Sequence, residues 1–342
     1  MNRLLQISTL LLFSSTVVLL STVGCDSRDS KSTPTKSAEA AKDKVVLMLN
    51  WYPEAEHGGF FAAKVHGIFD RYGLDVEIRP GGPNAPVVQE LVTGRVQFGI
   101  ANASDALLYR QQDAKVVALL APIRNSPRCI VVREDSGATE LSGLKGMTLQ
   151  ANQGRPFLDF MKSKGLLDGV QVVPYGGSVA KLVTDKNTAI QGYSFSEPFM
   201  AKQQGAAVRV LMVSDIGYNP YASCLVCTED YLNTNTDLAS RMTAACQEGW
   251  QQYFQSATQT NAEILANNKE GMTAEALAYG VDILRPLCLP EGVSPTELGA
   301  MTAARWEELV GQFVELGLVD ANKVKANEVF KTLAPPVKPE SK

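Results

Sequence analysis

From Val45 to Thr228, short apolar runs alternate with stretches whose apolar residues recur at spacings of three and four. The runs VVLMLN, LDVEIR, VQFGIA and VVALLAP read as strands, and GGFFAAKVHGIF, APVVQELVTG and SDALLYRQQ between them read as helices. The rhythm repeats in CIVVRE, GMTLQ, VQVVPY, AIQGYS and VRVLMV, separated by PFLDFMKSKG, SVAKLVTDK and EPFMAKQQG. A last strand, ASCLVCT, precedes a helical pattern over Leu238–Ala266, Thr273–Leu284 and Pro295–Leu316. Such alternation predicts parallel sheets covered by helices, and two such units in series predict an α/β protein of two lobes.

In open α/β sheets a ligand sits beyond the carboxyl ends of the strands, so the residues that follow each run are the candidates for chemistry. In the first unit these are Trp51 and Tyr52, then Gly81, Gly82 and Pro83, then Asn102 and Ser104. In the second they are Asn152 to Arg155, then Tyr175 to Ser178, then Tyr193, Ser194, Ser196 and Glu197. Aromatic faces, amides, hydroxyls, glycines and one carboxylate thus recur at one edge of both sheets. Helices opening at Gly58, Ala85, Ser104, Pro156, Ser178 and Glu197 would aim free N–H groups into the same region. The pattern predicts a cleft for a small polar aromatic or anionic ligand.

Ahead of the first strand, Arg3 is followed by an apolar run from Leu4 to Leu20, then STVGC, then a polar segment dense in Ser, Lys, Ala and Asp. A charged start, a short apolar core and a small residue before a cleavage point make an export signal, over residues 1–24, and no mature membrane-spanning helix. Residues 25–44 lack aromatics and cannot bury a core, which predicts a flexible tether. The net charge is −4 with acids and bases well mixed; without a basic stripe, no nucleic-acid partner is expected.

Beyond Cys25 the cysteines are Cys129, Cys224, Cys227, Cys246 and Cys288. An odd number in an exported chain leaves at least one free or paired between chains. Cys224 and Cys227 form a CxxC, but on a strand residues three apart point to opposite faces. No second CxxC or nearby His completes a zinc set. They are expected as packing thiols, with no metal and no cofactor.

Trp51 stands at a loop tip just after a strand, where stacking on a ligand suits it better than packing in a core. His57 opens the helix at Gly58 and either caps it or hydrogen-bonds a ligand, whereas His66 ends that helix and reads as structural. The Gly81-Gly82-Pro83-Asn84 turn lacks the third glycine and the Lys of a phosphate loop, leaving close backbone approach to a ligand as its use. Glu197, followed by Pro198, suits a first helical turn, yet it coincides with Tyr193 at the cleft edge. No G-x-S-x-G, no HExxH and no motif-placed Ser-His-Asp set is present, so the chain is expected not to be an enzyme.

The segments NWYPEAEHGGFFAAKVHGIFDRYGLDVEI, GGPNAPVVQELVTGRVQFGIANASDALL and GYSFSEPFMAKQQGA resemble solute-binding proteins of ABC importers. The group in question also contains the thiamine-pyrimidine synthases and is related to the sulfonate- and nitrate-binding proteins. The likeness runs from about Val45 to Leu318 and implies a type II periplasmic binding protein. In that fold two α/β lobes are joined by two crossover strands and close on ligand like a hinged trap. Crossovers near Cys129–Arg133 and Ala222–Thr228 would make the first lobe 45–130 plus 224–335, the second 131–223, and leave a tail over 336–342.

Asn50, Trp51, Pro53, His57 and Gly59 match the N-W-x-P-x-x-x-H-x-G pattern of the thiamine-pyrimidine branch, which binds hydroxymethylpyrimidine or its formylamino precursor. Glu197 in YSFSEP matches the carboxylate that reads the pyrimidine amino edge in that branch. An aminopyrimidine offers a π-face to Trp51 and a donor–acceptor edge to Glu197. With the strand-end residues, the candidate ligand set is Trp51, His57, Gly82, Asn102, Ser104, Gln153, Arg155, Tyr175, Tyr193 and Glu197. Gly58 replaces the alanine common in HAG, and the cysteine-rich run of the eukaryotic synthases is absent, so their histidine-donor chemistry is not carried over to His57 or His66. Two alternatives stay open: an oxyanion such as a sulfonate or nitrate held by helix N-termini and Arg155, and a pyrimidine synthase. Cys25 after Thr22-Val23-Gly24 resembles a lipobox, with Thr22 where Leu is usual, which implies a lipid anchor outside the cytoplasmic membrane. The implied partners are a small-molecule ligand, an ABC permease with its ATPase, and the membrane through that lipid.

Overall fold

The computed structural model describes residues 41–336; the expected export signal and Cys25 lie outside them. Ten strands form two five-stranded sheets. The first has the order β2 (Leu74–Arg79), β1 (Asp43–Met48), β3 (Phe98–Ala101), β10 (Cys224–Thr228), β4 (Val116–Leu120). The second has the order β7 (Gln171–Val173), β6 (Thr148–Gln150), β8 (Thr188–Tyr193), β5 (Arg128–Arg133), β9 (Val208–Met212). Every apolar run singled out in the sequence falls on one of these strands. β3 and β4 are buried along their whole length, as strands covered on both faces must be, while the edge strand β2 alternates buried and exposed positions.

The sheets are mixed, not parallel throughout. β10 runs antiparallel to β3 and β4, and β5 antiparallel to β8 and β9. Each of these strands arrives from the other half of the chain, so it enters its sheet from the opposite end. The crossings themselves lie just ahead of the strands expected to make them, in 121–127 and 213–223. They touch where Ala222 N–H donates to the Ile123 carbonyl at 3.0 Å.

The helical pattern after β10 also divides. The stretch expected as one helix is two, Thr236–Gln255 and Thr258–Asn267, broken where Ser256 turns extended. Against the first of these lies the Gly58–Val65 helix, at a separation only glycine permits. A Cβ on Gly59 would sit 2.0 Å from the Trp250 ring, and one on Gly249 2.2 Å from the Gly59 carbonyl. The Gly58-Gly59 pair therefore serves packing: Trp250 is fully buried and meets Phe60 edge to face at 5.8 Å.

The described cysteines are all free and buried. Cys224 and Cys227 enter different apolar clusters, as residues three apart on a strand should. Burial pushes the Cys227 thiol up to about 12, so it packs as a small hydrophobe. No helix among the described residues is long and apolar enough to cross a membrane.

Candidate functional site

The loop from Asn50 to His57 leaves β1 and ends in a buried turn over Ala55–His57. His57 is fully buried. Its Nδ1 accepts the Glu54 backbone N–H at 3.3 Å, which places the ring proton on Nε2, donating to Asn50 Oδ1 at 3.0 Å. This staple closes the loop, and two contacts brace it from outside. Gly81 N–H donates to the Trp51 carbonyl at 3.1 Å, an approach that a Cβ on Gly81, 2.2 Å from the Leu49 carbonyl, would prevent. Asn268 Nδ2 donates to the Pro53 carbonyl at 2.7 Å. Trp51 and Tyr52, left half-buried, meet edge to face at 5.4 Å.

Beside this loop opens a cavity of about 1110 Å³. The first sheet supplies Trp51, Tyr52 and Glu54 after β1, and Pro83 and Asn84 after β2. The second supplies residues 152–155 after β6, 174–177 after β7, and Phe195, Ser196 and Glu197 after β8. The carboxyl ends of strands in both sheets thus meet at one cleft. The loop 268–272 and the start of the Ala274–Cys288 helix complete the wall.

Glu197 opens the Glu197–Gln203 helix and turns its carboxylate back toward β8. Oε2 accepts the Tyr193 backbone N–H at 2.7 Å, and Oε1 accepts from the Tyr175 hydroxyl at 3.4 Å. Burial raises its pKa, against the pull of those donors and of Arg128. Glu56, behind the wall, is pushed up to about 7 by burial, although the Ser223 hydroxyl donates to it at 2.8 Å. Burial lowers His57 to about 3. The Glu56–His57 contact, 3.6 Å between Oε1 and Nε2, therefore involves a neutral imidazole at neutral pH and is no ion pair.

Of the residues expected at the site, Trp51, Gln153, Arg155, Tyr175 and Glu197 line the large cavity. Asn102, Ser104 and Tyr193 line a neighbouring void of about 30 Å³, with Arg155 on the wall of both. There Asn102 Nδ2 donates to the Tyr193 hydroxyl at 3.3 Å, tying the two sheets together. Arg155 Nη1 meets Asp105 Oδ1 at 3.4 Å and ties them a second time. His57 and Gly82, expected at the site, do not line the cavity. The imidazole is held inside by Asn50 and the Glu54 backbone, and Gly82 packs near the Tyr52 ring while Pro83 and Asn84 take the wall.

Sequence reading missed Glu54, Asn268 and Met272. Glu54 had a signal, since it lies three residues from Trp51 in the same strand-end loop. The 268–272 segment had none, because only the packing of the C-terminal helices brings it there.

The family described as NMT1/THI5 like matches residues 54–259. The chain is 23% identical over 299 residues to the formylaminopyrimidine-binding protein of Halalkalibacterium halodurans, covering 82% of this chain and 88% of that one. It is 22% identical over 257 residues to the riboflavin-binding protein RibY of Chloroflexus aurantiacus, covering 72% and 73%. The solved structure of the periplasmic aliphatic sulphonate binding protein SsuA from Escherichia coli aligns with a TM-score of 0.62 at 19% identity, over 88% of this chain and 94% of that one. The fold is that of a periplasmic binding protein.

Proposed function

The chain belongs to the NMT1/THI5-like family, and from that premise we propose that it is the extracytoplasmic solute-binding receptor of an ABC importer. Its ligand is a thiamine-precursor pyrimidine of the hydroxymethyl or formylamino type, held in the cleft and handed to the permease. The observation that carries this reading is the placement of Trp51 and Glu197 on one cavity wall from opposite sheets. Trp51 gives a half-buried aromatic face for the ring, and Glu197 a carboxylate for the amino edge, oriented by Tyr175 and the Tyr193 amide. A ligand touching both lobes favours the closed form by its differential contacts, which is the signal a permease needs. Cys25, lipidated, would hold the receptor at the outer face of the membrane.

The oxyanion alternative fares worse on charge. Arg155 is the one Lys or Arg among the described residues on the cavity wall, and it is already paired with Asp105. A second reading does draw support from the cavity: its volume of about 1110 Å³ exceeds the need of a single pyrimidine, and RibY is named for riboflavin, a larger flat ligand.

Thermal shift and calorimetric titration against hydroxymethylpyrimidine, formylaminopyrimidine, riboflavin and an alkanesulfonate separate these readings. Ligand at about a hundredfold excess over Kd stabilises a folded receptor by roughly 2.7 kcal/mol. A pyrimidine response alone is expected; formation of a pyrimidine by the purified protein with none added would restore the synthase alternative. Trp51→Ala should weaken binding roughly ten- to a hundredfold, the scale of losing one stacking platform. A sulfonate response alone would move the site to Arg155 and the helix N-termini.

A further inference from the structure

Glu54 is the cavity-wall residue that the pyrimidine reading leaves without a task. It is 6% exposed, yet it borders the cavity, and among the described residues no Lys, Arg or His lies within ion-pairing distance of its carboxyl. Its backbone is fixed: the Glu54 N–H is bonded to His57 Nδ1, the Glu54 carbonyl accepts the His57 N–H at 2.9 Å, and Pro53 is pinned by Asn268; as N-cap of the Ala55–His57 turn its side chain forms a capping box with His57. The groups facing it are the Ser196 hydroxyl, which hydrogen-bonds the carboxyl, and the carboxyls of Glu56 and Glu197. Arg128 acts on Glu56 and Glu197, its guanidinium stacked over Tyr193 at 4.2 Å. His57 behind it is neutral.

We propose that Glu54 is a second ligand-reading residue, and that with Glu197 it forms a two-carboxyl clasp selecting a heteroaromatic bound as its cation, with an amino group beside a basic ring nitrogen. The inference rests on the pyrimidine reading and narrows it. An amino edge offers a carboxylate one N–H donor, but the neighbouring ring nitrogen offers a lone pair, which a second carboxylate oxygen repels. A proton between them resolves the mismatch. Burial raises the Glu54 carboxyl well above its usual range and like charge on Glu56 and Glu197 adds to it, which favours a proton on the empty clasp. On binding, the carboxyl O–H bond breaks and a ring N–H bond forms. The carboxyl keeps the electron pair and becomes the counter-ion of the pyrimidinium. No proton is exchanged with solvent when the ligand arrives neutral. A non-basic ring such as a 4-oxopyrimidine cannot accept the proton and leaves the clasp mismatched.

The test is nitrogen-15 NMR of ring-labelled 4-amino-5-hydroxymethyl-2-methylpyrimidine bound to the full chain at pH 8, with calorimetry on wild type, Glu54→Gln and the 4-oxo analogue. The bound ring nitrogen is expected at the upfield shift of the protonated base. Glu54→Gln is expected to return it toward the neutral shift and to weaken binding roughly tenfold or more, the size of one charge-assisted hydrogen bond. The 4-oxo analogue should lose at least as much in wild type. Tight binding with a neutral ring-nitrogen shift in wild type overturns the proposal while leaving the pyrimidine reading intact, and needs no variant to fold. No binding of the aminopyrimidine at all overturns both.

Discussion

The two faces of the Asn50–His57 loop carry the same kinds of side chain to opposite ends. Toward the cleft, Trp51 and Tyr52 stay half-buried, and Glu54 borders the cavity. Toward the core, Glu56 and His57 are 1% and 0% exposed and bond to Ser223 and Asn50. A motif that reads as one binding signature is thus half ligand surface and half scaffold, and the scaffold half fixes where the other half points. The faces should respond oppositely to mutation: changes inward move stability, and changes outward move affinity.

His57→Ala should give the largest effect. It leaves the Glu54 amide and Asn50 Oδ1 buried without partners and opens a cavity, together worth roughly 3–5 kcal/mol. Chemical denaturation would read it directly, and Trp51→Ala beside it should lose under about 1 kcal/mol of apo stability while binding collapses. Should Trp51→Ala destabilise as much as His57→Ala, the division between faces fails and Trp51 belongs to the core.

The inward face also sets a pH signature. The pKa of Glu56 rises from an ordinary 4.5 to about 7 by burial, so between those values the native state holds a proton that the unfolded chain has lost. Stability then falls as pH rises, by roughly 3 kcal/mol over the window. Burial lowers His57 from 6.5 to about 3, so between those values the unfolded chain holds the extra proton, and stability rises with pH by roughly 5 kcal/mol. From about pH 4.5 to 6.5 these two slopes oppose each other, and Glu54 and Glu197, also raised by burial, add to the decline. Glu56→Gln should turn the profile upward relative to wild type below about pH 6.5 and lessen the decline toward 7. Denaturation midpoints across pH 3.5–7.5 check it, and unchanged profiles would mean that Glu56 ionises in the native state as it does in water.

Much of this was legible in the sequence, for identifiable reasons. The strands could be read because they are buried apolar runs bounded by turns, and the cleft because α/β sheets gather ligands at their carboxyl ends. The antiparallel entries of β5 and β10 were not, since pairing with strands from the other half of the chain leaves no mark on a strand's own pattern. His57 stayed ambiguous because its fate depends on Asn50, seven residues away across a loop. Glu54 was hidden in plain view: a carboxylate in a loop is ordinarily a solvated one, and only the fold shows this one nearly buried and bordering a cavity.

The smallest effect is expected outside the loop, at the ties between sheets. Arg155 is about half exposed, and its pair with Asp105 at 3.4 Å is of the kind worth roughly 0–1 kcal/mol. Arg155→Ala should therefore leave the denaturation midpoint almost unmoved and pyrimidine affinity within about fivefold of wild type, the range such a pair spans. It still discriminates, because on an oxyanion reading Arg155 is the main cation of the site and its loss would abolish sulfonate binding. A variant with intact pyrimidine affinity would leave recognition with the aromatic and carboxyl groups of the loop and of Glu197. Loss of all binding would instead mean that the tie to Asp105 holds the cleft in its closed form, and that the comparison between inward and outward faces must include the bridge between the sheets.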